Sequence, residues 1–391
     1  MNRRQLLQTS LAAPLAFTGS ASGAPGPKAI IEKIEVFQVK VNHRGNWVLV
    51  RLTTTDGITG LGDASHGNDA QVLPLLKTFF SSLKGRSAFD VEPLRSALWP
   101  ELDRLGRSGV VAFGGLEHAM HDIQGKALGV PVWALFGGKL HSKIRHYANI
   151  NRTVTERTPE GFSRVAELGL KDGFTAFKLA SFDGMPRNDA AKIPAFTQIG
   201  IDCIAGVRKT VGPASDLLVD GHSNFNRVRG LELARRLEPM KLFWLEEVCR
   251  DTADLAAINK AAVMPTAGGE SIFGTKGYFP YIKAEAVDIV MPDIKYCGGL
   301  LETKKIAAMA EAAGMPCAPH GPASPIGNMA AAHVCATLPN FLILELGYGE
   351  TNWRGELTDP PEVFDKGYLT VPDKPGFGIT LNEKTTVKHA V

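Results

Sequence analysis

The chain has 391 residues, of which 44% are hydrophobic, and a formal net charge of +3 at neutral pH. This length allows one large domain and a smaller one. The near-neutral balance without a basic stripe excludes the charge pattern of a nucleic-acid-binding protein. The cysteines number five and include no Cys-x-x-Cys pair, so no disulfide framework is expected.

The N-terminal segment has the layout of a secretory signal. Arg3 and Arg4 precede an apolar stretch, and small residues close it around positions 21–24. The arginine pair is typical of twin-arginine signals, and the stretch is too short to span a bilayer. We therefore expect residues 1–24 to be a signal peptide and the mature chain to be periplasmic. A disordered basic N-terminus on a cytoplasmic protein is the alternative.

Residues 25–140 are predicted to form an α+β domain. The segments KIEVFQVKV and NWVLVRLTTTDGITGLGDA are typical of antiparallel strands with a turn at Asp56-Gly57. Helical stretches follow, notably over residues 115–138. The loops of this domain supply the candidate specificity residues His43, Arg44, Trp47 and His66.

Eight short apolar runs alternate with helix-like segments from residue 145 onward. They are RHYANI (145–150), TAFKLA (175–180), DLLVD (216–220), LFWLEEV (242–248), PTAGGE (265–270), AVDIVMPD (286–293), MPCAPH (315–320) and FLILELG (341–347). This α/β alternation predicts a parallel sheet, and eight units favour a (β/α)8-type TIM barrel over residues 141–349. Residues 350–391, rich in Pro and Gly, are predicted to pack back on the first domain.

Polar or charged side chains end nearly all of these runs. They are Lys178, Asp220, Glu246, Glu270, Asp293, His320 and Glu345. Each one alone has an alternative interpretation as a strand-end cap. Together they indicate an active site, because the active site of such a barrel lies at the carboxyl ends of its strands. The adjacent carboxylates of Asp220, Glu246 and Glu270 would repel one another. We therefore expect a hard divalent cation among them, Mg²⁺ with Mn²⁺ as the alternative.

The sequence resembles the mandelate racemase / muconate lactonizing enzyme family of the enolase superfamily over essentially the whole mature chain. The motifs FWLEEV, GGES and VDIVMPDIKYCGG carry the resemblance. It implies a modified (β/α)7β barrel beneath an α+β capping domain, assembly as a homo-oligomer, and a small-molecule carboxylate substrate bound to the metal. A base then removes the proton α to the carboxylate, and the enediolate is stabilised electrostatically. The implied metal ligands are Asp220, Glu246 and Glu270.

The same resemblance implies roles for the other strand-end residues. His320 is the base, oriented by Asp293, as in the racemase and sugar-acid dehydratase branches, with a hydrogen-bonded structural histidine as the alternative. Lys178 matches the first lysine of the family's Lys-x-Lys pattern and is expected to stabilise the carboxylate. Ala180 replaces the second lysine, which disfavours a two-base racemase or a cycloisomerase. Glu345 matches a glutamate that hydrogen-bonds the substrate carboxylate, with a buried structural role as the alternative.

His222 decides which reaction is predicted. It follows Asp220 by two residues, where racemase relatives have asparagine and galactonate, gluconate and mannonate dehydratases have histidine. An imidazolium there is suited to protonate a leaving β-hydroxyl, so the sequence predicts dehydration of a sugar acid to a 2-keto-3-deoxy acid. The alternative is that His222 is a turn residue, hydrogen-bonded near the metal, with no catalytic role. Three other functions stay open for the protein. It could be a one-base racemase or epimerase, a lyase acting on a non-sugar carboxylate, or an exported binding protein on an inactive barrel.

The remaining polar residues near these motifs are given minor roles. Lys295 is predicted to be peripheral. His118 and His121 on the linking helix are predicted to be structural. The resemblance implies that Glu247, beside the metal ligands, either supports those ligands from behind or is structural. The segment after the last strand adds candidates for the pocket lining, namely Glu350, Trp353 and Arg354. Neither nucleic acid nor a membrane is an expected partner of the mature chain.

Overall fold

The structure, a computed structural model, describes residues 28–65 and 67–391. The predicted signal peptide and the candidate specificity residue His66 lie outside the described residues. Among the described residues, no helix is both long and apolar enough to cross a membrane.

The N-terminal domain is a three-stranded antiparallel sheet covered by helices. Its strands are β1 (Ile31–Asn42), β2 (Gly45–Thr54) and β3 (Thr59–Asp63), and its helices are α1 (Asp69–Leu83), α2 (Val91–Leu105), α3 (Arg107–Leu128) and the short α4 (Val132–Leu135). Helix α3 packs directly on β3 because glycines there remove the side chains: a Cβ added to Gly62 would lie 1.8 Å from the backbone oxygen of Gly115.

Parallel strands follow and close into a barrel. They are β4 (Lys143–Asn149), β5 (Ala176–Leu179), β6 (Asp216–Asp220), β7 (Trp244–Glu246), β8 (Thr266–Gly268), β9 (Ile289–Val290) and β10 (Leu344–Gly347). β10 pairs with β4 and so closes the ring. The seventh position, between β9 and β10, is held only by isolated parallel bridges from Cys317 to Val290 and Phe341. The predicted run MPCAPH thus occupies a strand position without forming a regular strand.

Helices connect the successive strand positions on the outside of the barrel. They are α5 (Pro159–Lys171), α6 (Ile193–Val211), α7 (Arg227–Leu237), α8 (Thr252–Ala261), α9 (Gly274–Lys283), α10 (Leu300–Ala312) and α11 (Pro325–Cys335). β10 is followed by a 3-10 turn, Arg354–Leu357, rather than by a further barrel helix. The prediction of a TIM barrel with an α+β capping domain is confirmed, and the helix count matches the (β/α)7β form.

The period-2 alternation of the strands builds the barrel interior in two layers. An apolar layer contains Leu218 and Trp244, and it closes the bottom of the barrel. Two residues further along the same strands stand Asp220 and Glu246, on the same face and also buried. The strand geometry therefore places a ring of charged side chains directly above the apolar layer.

Glu270 reaches this ring by a different route, because it lies three residues after the inward-facing Ala267. Between them Gly269 has a φ of 107°, a conformation that L side chains rarely adopt. This turn breaks the strand alternation. It lets the side chain of Glu270 face the same cavity as its neighbours.

Buried polar contacts fix the capping domain to the barrel. Glu117 of α3 accepts hydrogen bonds from the backbone amides of Leu300 (2.9 Å) and Leu301 (3.0 Å) at the start of α10. A carboxylate is stabilised at this position because the first amides of a helix lack partners within the helix. Asp63 of β3 accepts hydrogen bonds from the amide and hydroxyl of Ser324, which itself caps α11. Side chains of the capping domain consequently hold the N-terminal ends of two barrel helices.

The C-terminal segment contacts both domains. It contains β11 (Thr358–Asp359), β12 (Phe364–Asp365), β13 (Tyr368–Thr370), β14 (Thr380–Leu381) and α12 (Glu383–Lys388). β13 pairs with β4 of the barrel, and Ala390 forms a bridge with Val39 of the capping sheet.

Two buried histidines predict how stability depends on pH. His333 accepts a hydrogen bond from the amide of Trp133 at Nδ1 and donates from Nε2 to the carbonyl of Phe377. Burial lowers the pKa of both His333 and His146 from 6.5 to about 4. Below pH 6.5 these two histidines therefore bind protons in the unfolded chain but stay neutral in the folded chain. The contribution of these two histidines to stability should be complete above pH 6.5 and should fall as the pH drops toward 4, by on the order of 3 kcal/mol per histidine.

The midpoint of thermal unfolding, measured between pH 7.5 and 4.5, checks this expectation. The variant His333→Asn keeps an acceptor for Trp133 but no longer titrates, so its midpoint should depend less steeply on pH. His141→Asn, at a partly exposed histidine, is the matched control and should keep the wild-type slope. An unchanged slope in His333→Asn would show that this residue is not responsible.

Candidate active site

Three carboxylates from neighbouring strands converge at the carboxyl end of the barrel. Asp220 and Glu246 are direct register partners on β6 and β7, and Glu270 follows β8. Each offers one oxygen, and these oxygens all lie within 4.8 Å of one another. Burial, reinforced by the Asp220 carboxylate, raises the pKa of Glu246 to about 8. Crowded negative charge of this kind requires a compensating cation.

The oxygens themselves fit a divalent cation. Asp220 Oδ2 and Glu270 Oε2 are buried and accept no hydrogen bond, although an imidazole nitrogen lies within ion-pair distance of each. Unsatisfied carboxylate oxygens that face one another are the donor set that hard cations prefer. Asp220, Glu246 and Glu270 are therefore the residues that could hold a metal.

Lys178 is the fixed cation of the site. It lies on β5, is almost fully buried, and places its Nζ 2.7 Å from Glu246 Oε1, 3.2 Å from Glu345 Oε1 and 3.5 Å from Asp220 Oδ2. Burial by itself would lower the pKa of this ammonium, but the surrounding carboxylates raise it well above its usual range. Lys178 thus stays charged beneath the cavity.

His320 and Asp293 form a dyad on adjacent strand positions. His320 Nδ1 lies 2.8 Å from Asp293 Oδ2, and its Nε2 lies 2.9 Å from Glu270 Oε2. Burial would raise the pKa of Asp293, but Lys295 and His320 lower it to about 2, so the carboxylate is ionised. Because Asp293 holds the proton on Nδ1, Nε2 is the nitrogen that is free to exchange a proton in the cavity.

The prediction that Lys295 is peripheral is wrong. Its side chain is fully buried, and its Nζ lies 3.2 Å from Asp293 Oδ2. The backbone amide of Lys295 also donates to Asp293 Oδ1 at 2.7 Å. The sequence suggested a position beyond the strand end, but the chain turns there, and the lysine packs behind the dyad.

His222 forms a second imidazole–carboxylate pair across the cavity. Its Nδ1 hydrogen-bonds Asp183 Oδ1, and its Nε2 lies 3.0 Å from Asp220 Oδ2. Burial opposes the charged form, but Asp220 and Asp183 raise the pKa of His222 to about 11. β6 is the third strand position and the segment of His320 the seventh of eight, so the two imidazoles stand on opposite walls.

Asp183 was not found by the sequence analysis. It lies in the loop after β5, in no motif and at no strand end. The only available signal was that loops following barrel strands share one face of the fold.

Glu345 is held from several sides. Its Oε1 accepts a hydrogen bond from Asn149 (2.6 Å), and its Oε2 accepts one from the amide of Gly321 (3.0 Å). Burial would raise the pKa of Glu345, but Lys178 and His320 lower it to about 2. Its oxygens lie 3.2 Å from the Nζ of Lys178 and 3.4 Å from the Nε2 of His320, which places it between the two.

A cavity of about 270 Å³ lies above these groups, between the barrel and the capping domain. The barrel lines it with Asn149, Lys178, His222, Glu270 and His320, and the capping domain with Arg44, Asn46, Asp69 and Arg107. Its walls are thus mostly polar and carry both signs of charge. Such walls suit a small hydroxylated anion rather than an apolar ligand.

Several other candidates do not line this cavity. Trp47 is fully buried and packs edge-on against Trp353, while Arg354 binds Glu362. Glu350 acts indirectly, because it pairs with Arg152, which does line the cavity. The remaining candidates behave as follows: His43 is exposed outside the lining, Glu247 accepts a hydrogen bond from the amide of Gly269, and His118 and His121 are buried and hydrogen-bonded to backbone carbonyls.

Comparisons with known proteins agree with this architecture. Residues 33–137 match the family model "Mandelate racemase / muconate lactonizing enzyme, N-terminal domain", and residues 162–385 match "Enolase C-terminal domain-like". A mandelate racemase/muconate lactonizing enzyme-like protein from Rubrobacter xylanophilus superimposes with a TM-score of 0.86 at 29% identity, over 93% of this chain and 98% of that one.

Curated relatives of similar length carry named activities. D-xylonate dehydratase from Haloferax volcanii is 32% identical over 93% of this chain and 91% of its own. D-gluconate/D-galactonate dehydratase from Picrophilus torridus is 29% identical over 87% of this chain and 88% of its own. The chain belongs to the mandelate racemase / muconate lactonizing enzyme family of the enolase superfamily. It is an enzyme of that superfamily, and these relatives are hydro-lyases.

Metal binding without substrate tests the carboxylate site. Glu246→Gln removes one anionic ligand, so Mn²⁺ affinity should fall by more than the roughly 10- to 100-fold that loss of an outer-shell partner costs. Free Mn²⁺, followed by its electron paramagnetic resonance signal, gives the dissociation constant. Glu247→Gln is the matched control, since the adjacent carboxylate is not one of the three converging groups, and it should change affinity by less than about tenfold. Equal losses in the two variants would place the metal elsewhere.

Proposed function

We propose that the protein is a Mg²⁺-dependent dehydratase that converts a sugar acid to its 2-keto-3-deoxy acid. The observation that carries this proposal is the pair of imidazoles on opposite walls of one cavity, each oriented by its own aspartate. Removal of an α-proton and departure of a β-hydroxyl require one base and one acid, and the cavity supplies one candidate for each.

The carboxylate end of the substrate is assigned to the centre of the site. When bound, a divalent cation on Asp220, Glu246 and Glu270 supplies positive charge to the substrate carboxylate. Lys178, which lies beside the same oxygens, adds a second positive charge without any change in protonation. Lys178 is thus preorganised where negative charge grows as the α-proton leaves, and such stabilisation is commonly the largest contribution to catalysis.

His320 is proposed as the base. Asp293 fixes its ring through Nδ1, so that Nε2 accepts the α-proton. The imidazolium formed in this step then lies between the Asp293, Glu270 and Glu345 carboxylates, which stabilise it.

His222 is proposed as the acid. It lines the cavity on the wall facing His320, and its hydrogen bond to Asp183 through Nδ1 leaves Nε2 directed at the cavity. A hydroxyl leaves as water once Nε2 delivers its proton, whereas hydroxide is a poor leaving group. Ala180 stands where the resemblance places a second lysine base, and its methyl group cannot return a proton to the α-carbon. Dehydration is consequently favoured over racemisation.

The substrate class rests on the relatives and on the cavity together. The named relatives act on D-xylonate, D-gluconate or D-galactonate. Asn46, Asn149 and Asn151 line the cavity with groups that can both donate and accept, which suits the hydroxyls of an aldonate chain.

Turnover of a sugar-acid library with Mg²⁺ tests the proposal directly. Product should be a 2-keto-3-deoxy acid, detected as its semicarbazone, with the five- and six-carbon aldonates the first to be assayed. Absence of product from every aldonate and aldarate would overturn the proposed function.

Variants of the two imidazoles test the assignment of base and acid. His320→Asn should abolish both dehydration and exchange of the α-proton in D₂O, because both begin with the same proton removal. His222→Asn should slow dehydration by at least about 100-fold, the usual contribution of a general acid, while exchange continues. Proton nuclear magnetic resonance follows both reactions in one sample. His141→Asn, outside the cavity, is the control, and loss of exchange in His222→Asn would contradict the assignment.

A further inference from the structure

We propose that Asp183 is the positioning residue of His222 and that Arg44 of the capping domain holds Asp183 in place. The orientation of the acid would then depend on the β1–β2 turn being seated over the cavity. This inference rests on the proposed function, since it assigns to His222 the role of acid.

Hydrogen bonding fixes the ring of His222. The residue stands in a turn with a φ of 44°, and its side chain is 36% exposed, so packing alone does not fix the ring. Its Nδ1 hydrogen-bonds Asp183, while Nε2 faces Asp220 and the cavity. Because Asp183 accepts the hydrogen bond that Nδ1–H donates, it determines which nitrogen points at the substrate. An outer carboxylate sets a histidine in the same way in many metal and catalytic sites.

Asp183 is itself held by several partners. While Oδ1 serves His222, Oδ2 accepts hydrogen bonds from Asn151 Nδ2 and Arg44 Nη2, both at 3.1 Å. Arg157 Nη2 lies 3.5 Å from the same oxygen and also donates to the carbonyl of Ala180. Partners from separate parts of the chain thus fix one carboxylate in a loop. If Asp183 only attached its loop to the surface, hydrogen bonds to both of its carboxylate oxygens would not be needed.

Arg44 links Asp183 to the capping domain. Arg44 lies in the tight turn between β1 and β2 and also lines the cavity. Its backbone amide donates to Asn42 Oδ1 at 2.8 Å. The side chain of Asn42 reaches the carbonyls of Arg152 and Glu350 at 3.4 and 3.5 Å. The turn is therefore attached to the barrel side of the cavity, and Arg44 carries its position to Asp183 and so to His222.

The ratio of the rate of α-proton exchange to the rate of dehydration distinguishes a positioning role of Asp183 from a general structural role. With Mg²⁺ and a turned-over aldonate in D₂O, Asp183→Ala should slow dehydration roughly 100-fold. The rate of α-proton exchange, which depends on His320, should stay within about threefold of wild type. Arg44→Ala should shift the ratio in the same direction by roughly tenfold, as expected when an outer partner is lost. A purely structural role for Asp183 would slow both reactions by the same factor, and that result would overturn the proposal.

Arg187 offers a matched control on the same loop. It contacts the backbone carbonyl of His222 at 3.3 Å and the side chain of Asn224, but not the imidazole. Arg187→Ala should therefore leave the ratio of exchange to dehydration at its wild-type value. A shift as large as that of Asp183→Ala would show that any disturbance of the loop suffices, and would count against Asp183 as the positioning group.

A measurement without substrate keeps this inference distinct from the proposed function. In the Mg²⁺-loaded protein labelled with ¹⁵N-histidine, the Nδ1–H of His222 should give a hydrogen-bonded imidazole signal, assigned by its absence from His222→Asn. The signal should disappear in Asp183→Ala and persist in Arg187→Ala. Loss of the signal together with a protein inactive on every sugar acid would uphold the positioning and overturn only the reaction. Persistence of the signal in Asp183→Ala would overturn the positioning.

Discussion

The balance of charge at the mouth of the barrel is the constraint on which the rest of the structure depends. Buried carboxylates from the third, fourth and eighth strand positions surround the Nζ of Lys178 at 2.7 to 3.5 Å. At this depth ionic interactions are much stronger than in water, and an unpaired charge is strongly destabilising. The single positive charge of Lys178 cannot balance them all. The three converging carboxylates therefore create a place for a divalent cation.

The two imidazoles repeat one arrangement on opposite walls. Each presents Nδ1 to an orienting aspartate and Nε2 to one of the three converging carboxylates. A cation also stands behind each aspartate, Lys295 behind Asp293 and Arg44 behind Asp183. The walls differ in exposure: the side chain of His320 is 8% exposed and that of His222 is 36% exposed. His222, the more exposed of the two imidazoles, accordingly depends more on its hydrogen bonds for orientation.

The site residues that lie on regular strands could be predicted from the sequence. Those that follow turns or lie in loops were harder to predict. Asp220 and Glu246 were predictable because a side chain two residues beyond an inward apolar residue must face inward too. Glu270 breaks that spacing and reaches the site only through the turn at Gly269. Lys295 was misplaced for a similar reason, since the chain turns after Asp293 and buries it. Asp183 belongs to a loop, and loop direction is not encoded in any periodicity.

The sequence by itself determined the fold class and the set of charged residues at the strand ends, because hydrophobic alternation and helix spacing are local properties. From them the barrel, the capping domain and the carboxylate site could be predicted. Only the tertiary structure decided which imidazole meets which carboxylate. The contacts of His222 with Asp183, and of Asp183 with Arg44, join residues 39 and 139 positions apart. Such contacts depend on how the loops and the capping domain close over the barrel, and no local pattern in the sequence specifies that closure.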